Sequence, residues 1–310
     1  MAERAIFGRP SQLNTLIQVN IQDFLTSFGL ENLRWGRAVL EALCYLPARR
    51  FALQMAGFDR RVGEQGLRVA SRSTLDGFVS CLEVVGQEHI PTSGPLLVLS
   101  NHPGMSDTLA LFASLARPDL RIVAAERPFL NALTNVSRQL IYVPEEAGKR
   151  MGVVRNVVSH LRRGGAVLTF PAGEIEPDPA CMPGAVESLG SWSESIAVFA
   201  RLAPETSIVV AIVSGVIWPA SLTHPLTHLR QEQKERERIA ASLQILAQML
   251  RPSSRLSAQV AFSPALPAGE LAHNDSEALM GAVSEQARQL IDAAKAESLN
   301  GESPKGLRDL

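Results

Sequence analysis

The sequence is poor in cysteine, in aromatic residues and in net charge. Three cysteines occur in 310 residues, aromatic residues make up 5% of the chain, and the formal net charge is −1. Cys44, Cys81 and Cys181 form neither a Cys-x2-Cys pair nor an even set, so we expect reduced, mostly buried thiols rather than disulfides. Because no basic surface with interleaved aromatic side chains is visible, we expect no nucleic acid as a partner.

Long hydrophobic runs are also missing. No apolar stretch approaches the roughly 20 residues that span a bilayer, and residues 1–8 lack the apolar region of a secretory signal peptide. The sequence contains no phosphate-binding loop, no Gly-x-Gly-x-x-Gly and no Gly-x-Ser-x-Gly nucleophile elbow. We therefore expect a cytoplasmic protein that meets a membrane only at its surface.

Short apolar runs alternate with helical stripes from about residue 80 onward. The runs predict strands at 80–86, 96–100, 121–124, 140–143, 166–170, 207–213 and 256–262, and the stripes predict helices at 108–115, 152–161, 193–202, 229–250 and 276–297. This alternation predicts an α/β fold with a mixed, mainly parallel sheet covered by helices. We assign this domain to residues 76–298, with a disordered tail at 299–310.

An N-terminal helical segment, residues 1–75, precedes that domain. Its apolar stripes, the second of them interrupted at Pro47, are flanked by arginines, with Trp35 and Tyr45 nearby. Apolar stripes with arginine and aromatic residues suit a helix lying on an anionic lipid surface. A helical cap packed on the core, with its arginines solvated, explains the same pattern, and both interpretations stay open.

The first candidate for chemistry is the segment Ser100-Asn101-His102-Pro103-Gly104-Met105-Ser106-Asp107. It follows the apolar run 96–99, so we expect a strand, a turn, and a helix that starts near Asp107 with Ser106 as its cap. The turn can bring His102 against the Asp107 carboxylate, which would fix the imidazole tautomer and favour proton removal from a hydroxyl. Such spacing also arises by chance, so a second element is needed.

The second element is Phe170-Pro171-Ala172-Gly173-Glu174, which follows the predicted strand at 166–170. In an open α/β sheet, ligands bind at loops after the carboxyl ends of strands. Both loops occupy that kind of position, and we therefore expect them to face one pocket. Backbone N–H groups near Gly104 or Gly173 are candidates for stabilising an oxyanion there.

These two blocks resemble the glycerolipid and lysophospholipid acyltransferases, including the 1-acylglycerol-3-phosphate acyltransferases. The family pattern Asn-His-x4-Asp is matched by Asn101, His102 and Asp107, and the later Phe-Pro-Glu-Gly-Thr-Arg is matched by Phe170, Pro171 and Gly173. The resemblance covers roughly residues 78–265. It implies that His102 is the general base and Asp107 its partner, and that residues of both loops, namely Asn101, Phe170, Pro171, Gly173 and Glu174, contact substrate.

The departures from the family pattern bear on the acceptor. Ala172 replaces the family glutamate, and Glu174 is a candidate to assume its role from two residues away. Ile175 and Glu145 stand where the family carries arginines for a phosphate, and neither can make bidentate bonds to phosphate. The Phe-Pro-Ala-Gly-Glu variant is similar to the hemolysin-like or lyso-ornithine lipid acyltransferases.

The resemblance implies transfer of a fatty acyl group from acyl-CoA or acyl carrier protein to a hydroxyl of a lysophospholipid or related lysolipid. No metal or organic cofactor is expected beyond that co-substrate, and the expected partners are the lipid, the inner face of the membrane and acyl carrier protein. Three alternatives stay open: a lyso-ornithine or other aminolipid O-acyltransferase, a non-catalytic lipid-binding member of the fold, and a thioesterase-like hydrolase.

Two other groups of residues are candidates for a metal site. His224 and His228 are four residues apart, but Pro225 lies between them, and we interpret them as surface-loop histidines. Glu174, Glu176 and Asp178 alternate in a proline-rich loop, which we interpret as a solvated acidic turn rather than a cation site.

Overall fold

A computed structural model describes residues 10–33, 35–146, 148, 150–250, 256–269 and 276–299. The helices are α1 (Pro10–Ser27), α2 (Arg37–Gln65), α3 (Leu67–Leu75), α4 (Met105–Ser114), α5 (Pro128–Ala132), α6 (Thr134–Ser137), α7 (Arg150–Arg162), α8 (Ser195–Leu202), α9 (Pro219–Leu222), α10 (Gln233–Leu250) and α11 (Ser276–Leu299). The strands are β1 (Cys81–Val85), β2 (Leu96–Ser100), β3 (Arg121–Ala125), β4 (Leu140–Val143), β5 (Ala166–Thr169), β6 (Ser207–Ser214), β7 (Ser257–Phe262) and β8 (Leu266–Pro267). Residues 300–310 of the predicted tail lie outside the described residues.

The chain divides into two compact units. The first comprises Met1–Phe78, Arg127–Arg138 and Ile217–Arg255, and the second comprises Val79–Glu126, Gln139–Val216 and Leu256–Leu310. The second unit contains all eight described strands. The first unit draws on three separate stretches of chain, of which the predicted N-terminal segment is one.

The second unit is built on one sheet with the strand order β1-β7-β6-β2-β5-β3-β4, and β8 pairs with the start of β6. Strands β2, β3, β4, β5 and β6 run parallel. Strand β6 pairs antiparallel with β7 and with β8, while β1 pairs parallel with β7. The predicted α/β class with a mixed, mainly parallel sheet is confirmed, and β8 was not anticipated because two residues give no periodic signal.

Helices cover the sheet because its central strands are apolar on both faces. Leu97 and Leu99 of β2 belong to a core that includes side chains of α7, α8 and α11, whereas Leu96 and Val98 point to the opposite face and are equally buried. Helix α4 contacts β6 and β7. Burial on both faces explains why these strands read as continuous apolar runs rather than alternating ones.

In the first unit, α1 packs against α2 and α10, and its stripe of Leu16, Ile17, Phe24 and Leu25 is buried. Helix α2 is continuous from Arg37 to Gln65, so the predicted interruption at Pro47 is wrong. A proline removes one backbone N–H and clashes locally, but the other bonds of a 29-residue helix and the burial of Pro47 keep it intact.

Two observations bear on the absences noted in the sequence. Within the described ranges, no helix combines the length and hydropathy needed to cross a membrane. Cys44, Cys81 and Cys181 are free thiols, as expected, but each is partly exposed rather than buried.

Candidate active site

The two motif loops start side by side because they follow neighbouring parallel strands. Leu99 of β2 is in register with Thr169 of β5, so His102 and Phe170 lie at the same edge of the sheet. Their rings pack with centroids 4.6 Å apart and planes tilted by 33°. The structure therefore brings together the two elements that the sequence placed about seventy residues apart.

His102 and Asp107 form a hydrogen-bonded pair. Nδ1 of His102 lies 2.8 Å from Oδ2 of Asp107, whose side chain is fully buried, while the histidine side chain retains 28% of its exposure. Since a carboxylate accepts the bond, the neutral imidazole carries its proton on Nδ1. The lone pair of Nε2 is then available to accept a proton.

The start of α4 holds Asp107 in place. The helix begins at Met105 with Gly104 at the cap, so the prediction that Ser106 caps a helix from Asp107 is wrong. Asp107 lies one turn inside, where its Oδ2 accepts the N–H of Gly104 at 2.8 Å and its Oδ1 accepts the hydroxyl of Thr108 at 2.8 Å. A carboxylate in the first turn of a helix accepts an otherwise unpaired N–H and interacts favourably with the positive end of the helix dipole.

Opposing effects act on the basicity of His102. Burial lowers the pKa of the imidazole, but the charge and hydrogen bond of Asp107 raise it, and the charge of Glu176 raises it further. The net pKa lies above the ordinary value for histidine. The ring is therefore a stronger base than a histidine in water.

Glu176 is a residue of this site that the sequence analysis missed. It is only 3% exposed, and its Oε2 accepts the backbone N–H of His102 at 3.1 Å. Its Oε1 accepts the Trp192 indole N–H at 2.9 Å and the Ser188 hydroxyl at 3.1 Å. The interpretation of this loop as a solvated acidic turn is wrong for Glu176, and no local pattern signals its burial, since the neighbouring Ile175 is half exposed.

Asp178 anchors the same loop to the end of β6. It is fully buried, and its carboxylate accepts the N–H groups of Ala180, Gly215 and Val216 at 2.8–2.9 Å. Three backbone donors compensate for the loss of water around a buried carboxylate. The loop after β5 is thus fixed at two points, near β2 by Glu176 and near β6 by Asp178.

Residues 81–218, which include both loops, match the family model described as Acyltransferase. This segment is similar to the acyltransferase family. The match agrees with the resemblance inferred from the two motifs. No curated protein matches the sequence. The chain is similar in structure to the 1-acyl-sn-glycerophosphate (LPA) acyltransferase PlsC of Thermotoga maritima, with 15% identity and a TM-score of 0.45, over 90% of this chain and 97% of that chain.

Asn101, within the segment that matches the family model, makes contacts within the fold. It is buried, its Nδ2 donates to the carbonyl of Val213 at 2.9 Å, and its Oδ1 accepts the N–H of the same residue at 2.8 Å. The side chain of Asn101 thereby continues the hydrogen bonding between β2 and β6 for one residue beyond the end of β2. Both ends of the amide are thus engaged with Val213, and the expected substrate contact of Asn101 stays a prediction.

The loop after β5 forms a tight turn at Gly173. Gly173, with φ of 68°, donates its N–H to the carbonyl of Phe170 at 3.0 Å, and the Pro171 carbonyl accepts the N–H of Ser193 at 3.1 Å. The N–H groups of Gly104 and Gly173 are themselves engaged, and the oxyanion site expected near these two glycines stays a prediction. Phe170 is partly exposed beside His102.

Glu174 is exposed, and the carboxylate beside His102 belongs to Glu176 instead. The expected role of Glu174 in place of the family glutamate stays a prediction, and Glu176 is a second, buried acid of the same loop.

Candidate metal ligands do not converge in the described part of the chain, where no three of His, Cys, Asp and Glu form a group that could hold an ion. His224 accepts the N–H of Leu226 through Nδ1, and His228 lies 3.3 Å from the guanidinium of Arg236. Both histidines therefore have local partners in the first unit.

Proposed function

We propose that this protein transfers a fatty acyl group from an acyl thioester to a hydroxyl of a lysolipid, with His102 as general base. The observation that carries the proposal is the His102–Asp107 pair, with a buried carboxylate on Nδ1 and a partly exposed ring, inside an acyltransferase domain. A base held in this way at the end of a strand suits removal of a hydroxyl proton.

The proposed reaction needs no covalent enzyme intermediate. The acceptor hydroxyl gives its proton to Nε2 of His102 while its oxygen attacks the thioester carbonyl. The C–S bond then breaks, and the imidazolium returns the proton to the leaving thiolate. Asp107 holds the ring and stabilises the imidazolium, as the aspartate does in a Ser-His-Asp triad in which the substrate hydroxyl takes the place of the serine.

The acceptor is a lysophospholipid or a lysolipid without a glycerol phosphate, such as a lyso-ornithine or other aminolipid. Ile175, which is half exposed beside the motif loop, favours a lysolipid without a glycerol phosphate, because isoleucine has no guanidinium that could bind a phosphate. Acceptor competition decides between them: an aminolipid enzyme is not inhibited by glycerophosphate lysolipids, whereas a lysophospholipid enzyme is.

The test is release of free thiol from palmitoyl-CoA, and separately from palmitoyl acyl carrier protein, with and without a panel of lysolipids. The wild type is compared with His102→Ala and with His89→Ala. His89 is another partly exposed histidine of the second unit, and its Nδ1 faces the carbonyl of Phe262 rather than a carboxylate. We expect release only with an acceptor, lost in His102→Ala and kept in His89→Ala. Release without acceptor makes the protein a hydrolase, and silence with both donors supports a lipid-binding protein.

We also propose that the first half of α2 lies on an anionic membrane surface, since an acyl chain must be taken from a bilayer. Val39, Leu43 and Leu46 share one side of α2 and are 64%, 69% and 48% exposed, and Trp35, just before the helix, is 92% exposed. Apolar side chains exposed in a row suit the acyl region of a bilayer, and the neighbouring arginines suit its anionic headgroups.

The membrane proposal is tested by flotation with vesicles. Val39→Glu combined with Leu43→Glu should abolish binding to anionic vesicles, because it places two charges where acyl chains would be. Met151→Glu, which changes an apolar residue 74% exposed on α7, is the matched control and should bind as the wild type does. Equal binding of all three proteins would refute the assignment of this stripe.

A further inference from the structure

Glu176 contacts the backbone of the proposed base from both directions. The backbone N–H of His102 donates to Oε2 of Glu176 at 3.1 Å, and the backbone N–H of Glu176 donates to the carbonyl of His102 at 2.9 Å. These two bonds connect the loop after β5 to His102, the second residue of the loop after β2. The main chain of His102 therefore cannot shift without breaking the contacts of Glu176.

The remaining partners of Glu176 are neutral. Its Oε1 accepts bonds from Trp192 and Ser188, and no lysine or arginine pairs with it among the ion pairs of the described residues. A buried carboxylate without a cation is costly, and burial outweighs these hydrogen bonds in raising the pKa of Glu176. A neutral glutamine or an apolar residue would fill this place at lower cost if packing were the only requirement.

The cation that faces Glu176 is His102 itself, when it is protonated. The two charged side chains that act on the imidazole are Asp107, through Nδ1, and Glu176, through its charge, and both favour the protonated ring. Resting on the proposed function, we infer that Glu176 is a positioning residue: it fixes the main chain of His102 and stabilises the imidazolium that forms during acyl transfer.

The inference is tested first without a reaction, by NMR titration of the His102 ring, assigned by its absence in His102→Ala. Glu176→Gln should lower the pKa of His102, because it removes one of two negative charges. Glu187→Gln is the matched control: it makes the same change at an exposed acid in the short 3₁₀ helix Glu187–Ser191, and should leave the titration unchanged. An unchanged titration in folded Glu176→Gln would overturn the inference.

The second readout is the pH dependence of acyl transfer. Glu176→Gln should lower kcat by roughly tenfold, less than the loss of a general base costs, and should move the acid limb of the profile to lower pH without a comparable change in KM. Glu176→Asp, which keeps the charge, should retain more of the wild-type profile than Glu176→Gln. A role in packing alone predicts that both variants lose stability and keep the wild-type profile.

A further variant leaves Glu176 in place and changes only one of its hydrogen bonds. Trp192→Phe removes one donor to Oε1 and so should favour the protonated carboxyl, moving the His102 titration in the same direction as Glu176→Gln but by less. Failure of the inference can be told apart from failure of the proposed function. An active His102→Ala variant refutes the function. An inactive His102→Ala variant, together with a Glu176→Gln variant that keeps the wild-type activity and His102 titration, refutes only the role of Glu176.

Discussion

Asp107→Asn is the substitution that tests the proposed base most directly, because it removes a charge and changes the volume little. Oδ2 of Asp107 faces two donors, the imidazole Nδ1–H and the N–H of Gly104, while Oδ1 faces the Thr108 hydroxyl, which can also accept. The asparagine will therefore keep its oxygen at the Oδ2 position and direct its NH2 group to Thr108. The tautomer of His102 is then preserved, and the charge alone is lost.

The size of the expected effect follows from that geometry. A neutral acceptor stabilises the imidazolium less than a carboxylate at 2.8 Å, so the base loses much of its contribution, which is roughly 10²–10⁴-fold for general-base catalysis. This corresponds to about 3–5 kcal/mol in the free energy of activation. The free energy of unfolding should fall by only about 1–3 kcal/mol, since one charged hydrogen-bond acceptor is replaced by a neutral one.

The assay is acceptor-dependent thiol release as a function of pH. The base must be neutral to act, so wild-type activity should rise with pH through a pKa above the ordinary value for histidine, because the carboxylates outweigh burial. In Asp107→Asn the acid limb should move to lower pH. Folded Asp107→Asn with activity within about threefold of wild type, beside an inactive His102→Ala, would refute the role assigned to Asp107.

Three further predictions concern stability and reactivity. Asn101→Ala should lower the free energy of unfolding by about 1–3 kcal/mol in urea titration, because it leaves both backbone groups of Val213 unpaired; an unchanged midpoint would contradict the role of the amide. Leu168→Ala should cost about 2–5 kcal/mol in the same experiment, since the side chain is fully buried in a central strand. Burial and the charge of Asp178 raise the pKa of Cys181 to about 12, so iodoacetamide at neutral pH should label this thiol only after unfolding, as followed by mass spectrometry; rapid labelling of the folded protein would contradict it.

The sequence predicted the pairing of His102 with Asp107 and the class of fold, because both depend on residues that are close together along the chain. Apolar runs such as 96–99 and 166–168 are buried on both faces, and that burial leaves a composition signal that short-range analysis detects. His102 and Asp107 are five residues apart, so a single turn suffices to bring them together. The neighbouring placement of the two motif loops followed from the rule that parallel strands end at one edge.

Only the tertiary structure decided which acid lies against the main chain of His102 and where the side-chain amide of Asn101 binds. Glu174 and Glu176 look alike in sequence, and their difference in burial depends on Ser188 and Trp192, which the chain supplies twelve and sixteen residues later. Likewise, the amide of Asn101 is directed to a strand residue 112 positions away. Hydrogen bonds over such separations depend on how the loops pack, and local propensity carries no information about that packing.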